Sequence, residues 1–90
     1  MEDTGIDKVR IKVLSIAGEC QACHQVGQEV IVDNVTLSGY ICPHALVSLW
    51  PYVLVLQNRG KFPWGDGDST IIACPDGENL ARFEVARLKE

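Results

Sequence analysis

Basic residues are in the minority in this 90-residue chain, which has 8 Lys and Arg against 12 Asp and Glu and a net charge of −4. Because nucleic-acid binding depends on clustered Lys and Arg, this balance argues against a nucleic-acid partner. The first residues lack the basic and apolar regions of a signal peptide, and no apolar run reaches the roughly 20 residues of a membrane span. We therefore expect a cytoplasmic protein without membrane contact.

Signatures of the familiar enzyme classes are also missing. The chain has no Ser-His-Asp order, phosphate-binding glycine loop or dinucleotide fingerprint. The carboxylate pairs Asp66/Asp68 and Asp76/Glu78 are typical of turns and are not expected to be acid–base catalysts. With 47% apolar and 22% charged residues, the composition is that of an ordinary globular domain. We expect one domain over residues 1–90, with a non-catalytic or accessory role.

Hydrophobic alternation predicts four strands around one helix. Residues 9–16 place Val9, Ile11 and Val13 on one face, and this period of two is typical of a half-buried strand. A high content of β-branched residues, with turn residues on either side, predicts the other three strands. These lie at residues 29–36, 70–74 and 80–88. The last two should pair as a hairpin.

The predicted helix spans residues 41–57. Pro43 suits its first position, where the missing N–H has no partner anyway, and Pro51 should kink or split it. No Lys, Arg, Asp or Glu occurs between Asn34 and Asn58. A helix that is apolar on most sides is expected to pack on a sheet and also to contact another subunit. The predicted fold is α+β, with the order β-β-α-β-β, an antiparallel sheet packed on one proline-kinked helix, in a homo-oligomer.

Cysteine is the unusual entry in the composition, with four residues. That number is too small for a secreted disulfide scaffold, and reduced thiols in a cytoplasmic protein favour metal binding or redox chemistry. Two of them lie in residues 17–27, a long connection between strands. There the motif Cys20-x-x-Cys23-His24 matches that of c-type haem attachment, but no export signal accompanies it. We expect the match to be accidental, and whether Cys20 and Cys23 form a disulfide stays open.

The other two cysteines, Cys42 and Cys74, each precede a proline at the end of a predicted element. Together with the Cys-x-x-Cys pair they could converge on Zn²⁺ or an iron–sulfur cluster, with His24 or His44 as a substitute ligand. A second hypothesis is a redox thiol or sulfur carrier, because a helix N-terminus stabilises the thiolate of Cys42. A third is that the cysteines are inert, buried apolar groups.

Aromatic residues suggest a further site. Phe62 and Trp64 flank a proline in the loop before the third predicted strand. With Trp50 of the helix, they could anchor a partner, since aromatic side chains often dominate interfaces. The more common role of such large side chains is to close the open end of a small core.

Several short motifs occur along the chain: Gly18-x-Cys20, His24-x-x-Gly27, Gly39-Tyr40-Ile41-Cys42-Pro43, Pro63-Trp64 and Cys74-Pro75-Asp76. In these motifs nearly the whole chain resembles a small family of bacterial and archaeal proteins of about this length and of unknown function. The family usually has glycine at the position of Cys23 and an acidic residue at that of Gln28, so the chain departs from it there. The resemblance implies a shared set with the composition of a Cys₃His metal site. The set is Cys20, His24, Cys42 and Cys74.

Overall fold

The computed structural model describes residues 5–17, 25–74 and 80–88, which form five strands and one helix. The elements are β1 (Val9–Ile16), β2 (Glu29–Asp33), β3 (Thr36–Ser38), α1 (Pro43–Gln57), β4 (Ser69–Ala73) and β5 (Ala81–Arg87). The strands form one antiparallel sheet in the order β3-β2-β1-β5-β4. The predicted α+β class and the pairing of the last two strands are confirmed.

The second predicted strand is a hairpin, so the observed order is β-β-β-α-β-β and the predicted β-β-α-β-β lacks one strand. Asn34 has φ 55°, a left-handed conformation that asparagine tolerates better than most residues. It reverses the chain between Asp33 and Thr36, which face each other in the ladder. The Thr36 hydroxyl donates to the Asp33 carbonyl at 2.7 Å. The turn at Asn34 therefore ends β2 inside the segment predicted as one strand, and β3 begins at the last residue of that segment, Thr36.

Helix α1 covers one face of the sheet with a single buried stripe. Its buried apolar residues are spaced by four and three positions, which places them on one side of a helix. They are Ala45, Leu49, Val53 and Leu56. The sheet contributes inward-facing side chains to the same cluster, and these alternate along each strand. These side chains include Val9, Ile11, Val30, Val32, Phe83 and Val85.

Pro51 lies inside α1 and does not divide it. Proline has no N–H to donate to the carbonyl of Val47, four residues earlier. Val47 is 75% exposed, so this side of the helix faces water, which can hydrate the carbonyl. Of the two effects expected of Pro51, splitting is absent and α1 continues to Gln57. No helix in the described ranges is long and apolar enough to cross a membrane.

The direction of α1 relative to the sheet follows from its C-terminal contacts. Nη2 of Arg87, at the end of β5, donates to the carbonyls of Leu56 at 3.2 Å and Gly60 at 2.5 Å. From there back to Pro43 the helix rises about 20 Å at 1.5 Å per residue. From Arg87 back to Ala81 the strand also spans about 20 Å at 3.3 Å per residue. The first turn of α1 therefore lies at the end of the sheet where β5 begins.

Candidate functional site

Two of the predicted metal ligands, Cys42 and Cys74, lie at the same end of the sheet. Cys42 is the N-cap residue of α1. Cys74 directly follows β4 and its backbone N–H donates to the carbonyl of Ala81, the first residue of β5, at 2.9 Å. Because the first turn of α1 also lies at the end of the sheet where β5 begins, Cys42 and Cys74 are both located at that end. We call this region, marked by Cys42, Cys74 and Ala81, the thiol end.

Both cysteines also lie on the side of the sheet that α1 covers. Cys74 continues the alternation of Thr70 and Ile72, whose side chains point towards the helix. Both thiols are half-buried against the hydrophobic cluster. Sγ of Cys74 accepts a hydrogen bond from the backbone N–H of Ala81 at 3.2 Å. Hydrogen bonds to sulfur of this kind orient and tune the thiolates that bind metals.

The chain reaches Cys42 through a turn that depends on glycine. Gly39 has φ 117°, and a Cβ there would lie 3.0 Å from the carbonyl oxygen of Glu29. Only glycine fits this conformation so close to the neighbouring strand. Cys42 itself is extended, with φ −61° and ψ 132°, as the proline that follows it requires. Its side chain makes no capping hydrogen bond to α1.

The other cysteines and one histidine, Cys20, Cys23 and His24, lie outside the described residues. The described ends of that connection are both at the thiol end of the sheet. The N–H of Ala17 donates to the carbonyl of Leu80, next to the start of β5, at 2.7 Å. On the other side, Gly27 donates to the carbonyl of Val13 at 2.8 Å. The connection therefore leaves and re-enters the sheet at the end where Cys42 and Cys74 lie.

Within the described ranges alone, the thiol end does not hold a complete set of ligands. No group of three or more His, Cys, Asp or Glu side chains is placed to hold a metal ion in the described part of the chain. His44, the substitute ligand suggested by the sequence, is exposed in the first turn of α1. The described residues thus place two thiols, those of Cys42 and Cys74, at this end of the sheet.

Of the three aromatic residues predicted to bind a partner, Phe62 is buried in the core. Trp64 stacks on it, with ring centroids 5.2 Å apart and an interplanar angle of 9°. Tyr52 of α1 contacts the same ring, at a centroid distance of 6.1 Å. Nε1 of Trp64 donates to Oγ1 of Thr70 at 3.1 Å, which fixes the loop on β4. Phe62 and Trp64 therefore close the core, although Trp64 stays half exposed.

Trp50, the third aromatic residue, lines an apolar groove of about 420 Å³ between α1 and the β2–β3 hairpin. The other lining residues are Val35, Leu37, Leu46 and Val47. The sequence predicts a partner-binding role for Trp50 but not for Val35, Leu37 or Val47. The signal for them was present, because all five residues fall in the segment between Asn34 and Asn58 that lacks Lys, Arg, Asp and Glu.

A cluster of charged side chains lies at the opposite end of the sheet from the thiols. The guanidinium of Arg87 forms ion pairs with Asp68 and with Asp7, whose Oδ2 lies 3.0 Å from Nε. The sequence predicts Asp66 and Asp68 as turn residues, and Oδ1 of Asp66 accepts a hydrogen bond from the Asp68 N–H at 2.9 Å in that turn. The ion pair of Asp68 with Arg87 is an additional role that the sequence does not predict. Since Arg87 also binds two carbonyls near the end of α1, this cluster joins the sheet to the helix.

Comparison with known proteins gives no relative. No family model matches the chain, and no curated protein or solved structure matches it significantly. The family resemblance drawn from the sequence motifs accordingly stays a prediction.

Proposed function

We propose that this protein is a small accessory binding protein whose thiol end holds a metal ion. The proposed ligands are Cys20, His24, Cys42 and Cys74. The observation that supports this set is the position of Cys42 and Cys74, which are 32 positions apart in the sequence and both lie at one end and on one face of the sheet.

The covalent chain keeps the other two ligands near the same end. Cys20 is three residues from Ala17, and a chain of that length extends about 11 Å at most. His24 adjoins Gln25 directly. Because Ala17 and Gln25 flank the connection that leaves and re-enters at the thiol end, both ligands are within reach of it.

The donor set determines which metal is expected. Three thiolates and one imidazole match the tetrahedral coordination of structural Zn²⁺, and thiolates also hold iron–sulfur clusters. The N–H of Ala81 already directs a hydrogen bond at Sγ of Cys74, which favours a fixed orientation of that ligand. Binding would release the thiol protons, and it would link the connection after β1, the start of α1 and the end of β4.

A domain of this size benefits from such a crosslink. Chains of about 90 residues bury only a limited fraction of their surface, so a metal that binds only the folded state adds substantially to stability. The metal is therefore expected to have a structural or accessory role, with no substrate position at the ion.

The experiment is metal analysis of protein purified without oxygen, together with an absorption spectrum and a free-thiol count on the same sample. We expect about one equivalent of zinc or iron. Cys74→Ser should weaken metal affinity on the order of 100-fold, because four ligands share an apparent binding free energy of about 10–16 kcal/mol. The control is Cys23→Ser, which should retain the metal. A metal-free protein of undiminished stability would contradict the proposal.

The same sample distinguishes the rival hypothesis of thiol chemistry at Cys42. A redox thiol or sulfur carrier would show one cysteine that reacts with alkylating agents well below pH 8 in the absence of metal. Under the metal hypothesis, all ligand thiols are protected together, and a chelator releases them together.

A further inference from the structure

We draw no further inference here: the strongest candidate, the apolar groove between α1 and the β2–β3 hairpin, is lined by uncharged side chains that fit any uncharged occupant, and nothing in the structure shows what covers it.

Discussion

Replacement of Arg87 by methionine tests the cluster that joins the sheet to the helix. The Arg87 side chain is 11% exposed and that of Asp68, its ion-pair partner, 13%. Methionine keeps much of the aliphatic length but removes the charge and every donor. Two carboxylates and the carbonyls of Leu56 and Gly60 then lose a partner while they remain largely away from water.

The size of the expected loss in unfolding free energy depends on how deeply the ion pairs are buried and on whether neighbouring cations can replace Arg87. Removing one partner from a buried ion pair costs about 3–5 kcal/mol, because the other charge stays desolvated. Two neighbouring cations reduce the loss here. Nζ of Lys61 lies 3.8 Å from Asp68, and Nε of Arg59 lies 3.4 Å from Asp7, which is itself about a quarter exposed. We therefore expect Arg87→Met to lower the free energy of unfolding by about 3 kcal/mol.

The assays are urea denaturation and thermal unfolding, each followed by circular dichroism and tryptophan fluorescence. For a domain of this size, a loss of about 3 kcal/mol corresponds to a fall in Tm of roughly 12–24 °C. Arg87→Lys should lose about half as much, since it keeps the charge but cannot reach four partners with a planar fork. The slope of the unfolding free energy against urea concentration should not change, because the surface exposed on unfolding is the same.

Arg82→Met provides the control on the same strand. Arg82 is exposed on β5, and its replacement should change stability by less than about 0.5 kcal/mol. A loss below about 1 kcal/mol for Arg87→Met would refute the reasoning. It would mean that the cluster behaves as a surface ion pair and does not hold the end of α1 on the sheet.

Two further predictions concern the residues that end the helix and close the core. Gly60→Ala should lower stability by about 1–3 kcal/mol in a urea titration, because the added Cβ would lie 2.9 Å from the carbonyl oxygen of Val55. Gly65→Ala, which meets no atom within 4 Å, should cost only about 1 kcal/mol from its left-handed backbone, and equal losses would argue against a steric cause. Phe62→Ala should cost about 3–4 kcal/mol by opening the core, and should alter the fluorescence of Trp64, which stacks on Phe62. An unchanged fluorescence and a loss under 1 kcal/mol would place Phe62 outside the core.

The thiol end shows what local sequence patterns can predict and what they cannot. The Cys-Pro pairs predict extended backbone at the ends of elements, and Cys42 has that conformation at the start of α1. The sequence could not state that Cys42 and Cys74 share one end of the sheet. That result depends on α1 running parallel to β5, which the contacts of Arg87 with Leu56 and Gly60 establish.

What the sequence alone determined are the features set by neighbouring residues. The alternation of Val9, Ile11 and Val13 predicts β1, and Pro43 marks the first position of α1, because side-chain spacing and proline geometry act over a few residues. Only the tertiary structure decided which distant residues meet. The pairing of Asp68 with Arg87 and the groove between β3 and α1 are of this kind. Such contacts depend on strand order and helix direction, which are determined by the burial of apolar side chains from the whole chain.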